Sequence, residues 1–163
     1  MNTYAIVVLV VLLAEYVTSV VSSLLNERKL GTPLPDEFRG IYEEEAYRKS
    51  QAYTRETSRF GLIQATFSLV TVLLFWQLAG FEWLDQTVRS ADYGPVGTGL
   101  LFVGSLGLAG MLLGIPFRLY GTFVIEAKFG FNRTSISTFL SDSVKSLLLT
   151  AVIGGSLITG ILF

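Results

Sequence analysis

The sequence predicts an all-α, polytopic membrane protein: four transmembrane helices, with a cytosolic amphipathic helix between the first and the second. Three observations point there. Hydrophobic residues make up 51% of the chain, and its mean hydropathy is +0.56. Charged residues are 15%, against roughly 25% in soluble chains. The apolar residues also gather in four long runs, each near the ~20 residues a helix needs to cross a hydrocarbon core about 30 Å thick. A β-barrel strand would alternate polar and apolar residues, and none of these runs does.

The first span is predicted over 4–25, from Tyr4 to Leu25. A secretory signal would open on positive charge, and Met1-Asn2-Thr3 carries none, so the run is read as a span. Only Glu15 interrupts it, near the bilayer middle. A carboxylate there costs roughly 2.5–3.5 kcal/mol on insertion scales. Glu15 therefore faces a polar cavity or serves as a proton site, or else makes a structural hydrogen bond to a neighbouring helix. Both readings stay open at this point.

After the first span, Gly31-Thr32-Pro33-Leu34-Pro35 is an extended breaker. Asp36 to Arg59 then reads as helix, with Glu44–Arg48 and Glu45–Lys49 in the favourable i,i+4 order. Tyr42, Ala46, Tyr53 and Phe60 give it a partly apolar stripe. Either it is a solvated surface helix or it packs on another cytosolic domain. The second span is predicted over 60–81, followed by a short polar loop from Glu82 to Asp92.

The third span, 93–117, is rich in glycine. Gly110 and Gly114 have the spacing that lets another backbone approach closely, as do Ser156 and Gly160 in the fourth span. Packing within the chain is expected, ahead of homodimerisation. Pro116 is expected to kink the third helix where it leaves the membrane, because it removes a backbone donor and clashes with the preceding turn. From Glu126 to Lys145 the sequence reads as a shaped loop. Gly130 supplies a turn, Phe129 and Phe131 anchor it, and Asn132 tolerates left-handed backbone. The fourth span covers 146–163.

Of the 12 Lys and Arg residues, all but Arg89 fall in 26–59 and 118–145. Short loops rich in Lys and Arg stay cytoplasmic. The N-terminus is then outside, in an integral protein of a bacterial inner membrane or an endoplasmic reticulum. Asn132-Arg133-Thr134 matches a glycosylation acceptor but would lie in the cytoplasm, so it is read as a chance match.

The net charge of −1 gives no basic excess for nucleic acid. Histidine and cysteine are absent, which removes thiol nucleophiles, imidazole bases and the usual zinc ligands. No catalytic, metal-binding or cofactor-binding residue is assigned in this chain. A transporter or channel would rest only on Glu15 and the glycine-rich span, with no inverted repeat behind it.

The run Leu119-Tyr120, Phe123-Val124-Ile125-Glu126 and Gly130-Phe131-Asn132 resembles the segment after the third span of the type I CAAX prenyl proteases, which are integral-membrane zinc metallopeptidases. Thr134, Phe139, Asp142 and Lys145 continue it at fitting offsets. Upstream, Tyr47-Arg48-Lys49-Ser50-Gln51-Ala52-Tyr53 is similar to the family's Tyr/Phe-x-Lys-Ser-x-x-Tyr stretch. The resemblance runs over nearly the whole chain.

It implies that 1–163 is an N-terminal transmembrane domain that helps enclose an intramembrane chamber and supports a catalytic half. Glu15, Glu126, Asn132, Asp142 and Lys145 are its candidate structural or chamber residues. The family's His-Glu-x-x-His zinc site is absent, and the chain stops inside a span, so it is expected to be a fragment of a longer protein. Zinc is expected in the parent and no cofactor in this chain. The implied partners are the lipid bilayer, the parent's catalytic domain, and prenylated or membrane peptide substrates. The competing reading is a stand-alone, non-enzymatic membrane scaffold or partner subunit.

Overall fold

A computed structural model describes residues 3–34, 40 and 43–162, apart from the side chain of residue 162. Among the described residues the chain is all helix, in the order α1 (Thr3–Lys29), α2 (Glu44–Gln77), α3 (Gly80–Arg89), α4 (Gly94–Tyr120) and α5 (Ile136–Leu162), with a π-helical segment, Gly121–Glu126, continuing α4. Four of these are long and apolar enough to cross a membrane: Thr3–Lys29, Glu44–Gln77, Gly94–Glu126 and Ile136–Ile161. None of the apolar windows contains a buried residue. Valines and leucines stand exposed along each of them. In water such surfaces would drive association; in lipid they are simply solvated.

The chain divides into two compact units, one made of Met1–Leu74 and Tyr120–Phe131, the other of Phe75–Leu119 and Asn132–Phe163. In the first unit α1 lies beside α2, pinned by a 2.9 Å hydrogen bond between the Tyr16 hydroxyl and Thr66. Arg28 and Lys29 occupy the last turn of α1, where positive charge suits the helix dipole. The helix stops at Gly31, whose φ of +101° suits glycine. α2 is 34 residues long, about 51 Å at 1.5 Å per residue. That exceeds the hydrocarbon core, so its polar first third stands outside it.

Several expectations are corrected. The surface helix was expected from Asp36, but α2 begins at Glu44. Gly40 has a φ of +88°, which no α-helix accommodates; the rest of Asp36–Tyr42 lies outside the described residues. The pairs Glu44–Arg48 and Glu45–Lys49 do not form; Lys49 instead sits 5.4 Å from the Phe131 ring centroid. Glu82–Asp92 is mostly helix, not loop: α3 buries Gly80, Leu84 and Val88 along one face. The third span was expected to end at Phe117, but α4 continues through Pro116 to Tyr120 before widening. Most of Glu126–Lys145 is helical as well, because α5 starts at Ile136.

In the second unit, α2's last turn passes to α3 through Ala79 at φ 54°. A Cβ at Gly80 would lie too close to the Phe75 ring for both to stay in place, so the junction suits glycine. Phe75 and Phe81 meet edge to face at 4.8 Å. Asp92 (φ 52°) and Gly94 (φ 72°) turn the chain into α4, and Pro95 follows in its first turn, where proline's fixed φ and missing donor are tolerated.

Candidate functional site

Two of the stretches that carry the resemblance, Tyr47–Tyr53 and Tyr120–Phe131, meet in the first unit. The polar half of α2 has two working faces. Gln51, Arg55 and Arg59 recur at helical spacing and face the end of α1. Gln51 accepts from the Gly31 N–H at 3.1 Å and donates to the Thr32 carbonyl at 3.1 Å. Arg55 donates to the Leu30 carbonyl at 3.3 Å, and Arg59 donates through Nε to Glu27 at 3.0 Å. Gln51 and Arg55 satisfy backbone groups just past the end of α1, while Arg59 pairs with a side-chain carboxylate.

The other face carries Lys49, Tyr53, Glu56 and Phe60, and it meets the segment that follows α4. Tyr53 lies edge-on to two rings, Phe129 at 5.5 Å and Phe131 at 4.9 Å. The Lys49 ammonium lies 5.4 Å from the Phe131 ring centroid. Lys128 donates to Glu56 at 2.6 Å, and the Phe60 and Tyr120 rings meet at 4.9 Å. The π-helical turn lies between these contacts, and within it Ile125 is only 1% exposed. A π turn adds a residue per turn, so it resets which side chains face α2. Phe129 is buried too.

The chain then turns at Gly130, φ +72°, with the Phe131 N–H closing back on the Glu126 carbonyl at 2.8 Å. In the second unit Asn132 Oδ1 accepts from the Thr134 N–H at 2.6 Å, a local turn that fixes its own backbone. Ser135 caps α5 by accepting from the Thr138 N–H at 3.1 Å.

Of the five sequence-predicted residues, Glu15 and Glu126 belong to the first unit and Asn132, Asp142 and Lys145 to the second. Glu15 lines a cleft of about 130 Å³ with Tyr16, Ser19 and Ser68, between α1 and α2. Glu126 is half-buried at the end of the π turn and serves through its carbonyl. Asn132 shapes the turn before α5. Asp142 and Lys145 form a 3.5 Å pair on α5 with side chains 59% and 69% exposed, and such exposed pairs contribute at most about 1 kcal/mol.

Sequence reasoning quoted Lys49, Gln51 and Tyr53 without their roles, and it missed the Arg55, Glu56 and Lys128 contacts. It also missed a groove of about 750 Å³ in the second unit, lined by α3, α4 and α5 and including Asp85, Arg89 and Asp92. There Arg89 donates to Asp85 at 2.7 Å, and this hydrogen bond and the carboxylate's charge hold the guanidinium above its usual pKa. Among the described residues no three of His, Cys, Asp and Glu are grouped to hold a metal ion. With histidine and cysteine absent, these residues do not fit a catalytic zinc site. What the arrangement does is hold the end of α1 and the Tyr120–Phe131 segment against the polar half of α2.

The pattern of the CAAX prenyl protease N-terminal family, described as having five membrane helices, matches residues 23–163. The probable CAAX prenyl protease 1 of Schizosaccharomyces pombe is 34% identical over 130 residues, covering 69% of this chain and 27% of that protein. CAAX prenyl protease 1 of Saccharomyces cerevisiae is 31% identical over 145 residues, covering 82% of this chain and 31% of that protein. The crystal structure of S. mikatae Ste24p superposes with a TM-score of 0.83 at 26% identity, over 96% of this chain and 38% of that one. The chain thus spans about a third of the length of these relatives, and it matches the membrane domain of a protease, not a free-standing scaffold.

Proposed function

The chain belongs to the CAAX prenyl protease N-terminal family, and on that premise we propose that it walls part of an intramembrane chamber and braces the catalytic half of a zinc-dependent endopeptidase. One observation carries the reading: nearly the whole chain follows Ste24p, yet it has neither histidine nor cysteine. The residues it contributes position helices and do no chemistry. Zinc, and the carboxylate that would act as general base beside it, are assigned to the catalytic half of the parent. The substrates are peptides held at the membrane, with prenylated C-termini the first to try.

Within this reading the Phe129–Ser135 turn braces the protease domain, and Asn132 keeps the turn in shape. The test uses the full-length protein and a prenylated peptide. Chelator-sensitive cleavage is expected, and Asn132→Ala should lower turnover several-fold with normal membrane insertion. Cleavage that ignores chelator would overturn the zinc reading. Unchanged turnover at normal expression would overturn the bracing role alone.

The same reading places 26–59 and 118–145 in the cytoplasm, supported by the positions of all Lys and Arg except Arg89. Single cysteines at Ser50 and Asp92 are expected to react oppositely with an impermeant thiol reagent on sealed cells or right-side-out vesicles, position 92 labelled and position 50 protected. The reverse pattern would invert the orientation.

A further inference from the structure

The groove in the second unit has a polar end and an apolar end. Asp85, Arg89 and Asp92 form its rim, beside Gly94 and Thr98 at the start of α4. Phe102 and Val103 of α4 and Ile158 and Ile161 of α5 form its walls. Those walls belong to two membrane-crossing helices, so the apolar end opens into hydrocarbon.

The rim has its own depth marker. Leu78 and Tyr93 flank α3 and Trp83 lies on it; they are 78%, 69% and 64% exposed. Aromatic side chains with one wet edge settle at the headgroup level of a bilayer. α3 buries Leu84 and Val88 inward while holding Trp83 out, as a helix lying in the interface does. The polar rim is therefore at headgroup depth. The opposite end of the same helices carries Arg118, whose guanidinium lies 5.1 Å from the Phe139 ring centroid.

The rim's charges select the head. Arg89 uses Nε on Asp85, so its terminal nitrogens remain for a phosphate. The Asp92 carboxylate and the Thr98 hydroxyl make no hydrogen bond among the described residues. Asp85, Arg89 and Asp92 together carry a net negative charge, which repels a purely anionic head. A choline head cannot donate hydrogen bonds to Asp92, whereas a primary ammonium can. The volume of about 750 Å³ falls in the range of roughly 300–1,000 Å³ usual for ligand clefts.

We propose that this groove seats one phospholipid with a primary ammonium head, drawn from the surrounding bilayer, with phosphate on Arg89 and Thr98, ammonium on Asp92, and acyl chains along Phe102 and Ile158. The lipid fills the space between α3, α4 and α5. It is a structural ligand of the second unit, independent of any peptidase activity.

The test is native mass spectrometry of the full-length protein released from phosphatidylcholine nanodiscs doped with either phosphatidylethanolamine or phosphatidylglycerol. One phosphatidylethanolamine should be retained about tenfold over the other two lipids, the scale of one charge-assisted hydrogen bond. Asp92→Asn should erase that preference while preserving the left-handed turn, since asparagine accepts positive φ. Val103→Trp should fill the groove and reduce retention of all three, and Asp142→Asn should change nothing. Equal retention of the three lipids, no effect of Asp92→Asn, or no retained lipid because the rest of the protein occupies the groove would each overturn the proposal.

Discussion

The polar half of α2 and the glycine-rich run of α4 are both helix, yet they hold their surroundings in opposite ways. From Lys49 to Phe60, α2 makes a specific side-chain contact on every turn, to α1 on one face and to the segment after α4 on the other. Along α4, a Cβ built at Gly104, Gly107, Gly110 or Gly114 would meet nothing within 4 Å among the described residues. Small residues permit close approach but do not supply it. The spacing of Gly110 and Gly114 was expected to mark packing inside the chain, and among the described residues of the second unit no neighbour stands there. In α5, Gly154 and Gly160 are open in the same way, while a Cβ at Gly155 would reach Leu100 at 4.0 Å. The difference teaches that a packing motif is informative only with its partner. The α2 face carries its partners in the same unit, 72 residues away for Glu56 and Lys128.

The largest test of this contrast is Tyr53→Ala. It removes the ring between Phe129 and Phe131 and leaves a gap beside a buried phenylalanine. A loss of about 2–3 kcal/mol is expected from the lost burial and ring contacts, read as unfolding of the full-length protein in mild detergent. Tyr53→Phe should be within about 0.5 kcal/mol of the parent, because only the ring makes the contacts described. Equal losses for both would mean that the hydroxyl, not the ring, is what matters.

Gly130→Ala should come next. Gly130 sits at φ +72°, and its Cβ would lie an ordinary 3.6 Å from Lys49 Nζ. Space is available, so the cost is the backbone's alone, about 1–2 kcal/mol for left-handed geometry at a residue with a side chain. A neutral result in the same unfolding measurement would show that the turn relaxes, and that the lock depends on rings more than on loop shape.

These contrasts also explain what the sequence disclosed. The four spans were legible because twenty apolar residues in a row have few other uses. Turn chemistry at Gly130 and Asn132 was legible because each acts on its own neighbours. The start of α2 was misplaced because i,i+4 charge pairs from Glu44 onward looked continuous with Asp36, and the φ of Gly40 is not written in its neighbours. α3 was missed because ten residues give its period too few repeats to stand out from a polar loop. The extension of α4 was missed because Pro116 was read as the point where the helix bends out of the membrane, not as a residue inside it. The roles of Lys49, Gln51 and Tyr53 depend on distant partners, and a single sequence does not pair them. The groove beside Arg89 needed α3 as a helix before Asp85 and Asp92 could be seen at one rim.

The smallest expected effect belongs to the open face itself. Replacing Gly110 and Gly114 together by alanine adds two methyl groups where this chain has nothing within 4 Å. Alanine favours helix over glycine by about 0.8–1.0 kcal/mol per residue in water, but a helix already enforced by a bilayer has fewer alternatives to give up. The double variant should therefore change stability by less than about 1 kcal/mol and insert normally. The measurement separates two kinds of membrane helix. If the full-length variant loses several kcal/mol instead, a helix outside these residues is pressed onto the glycine face, and the face is as specific as that of α2 with its partner supplied from elsewhere. If stability holds, the glycines lie against lipid or open space, and their spacing marks no contact. Gly121→Ala is the internal control. Its Cβ would just reach the Phe60 ring at 4.0 Å, an ordinary contact within the first unit, so it should be tolerated whichever way the double variant falls.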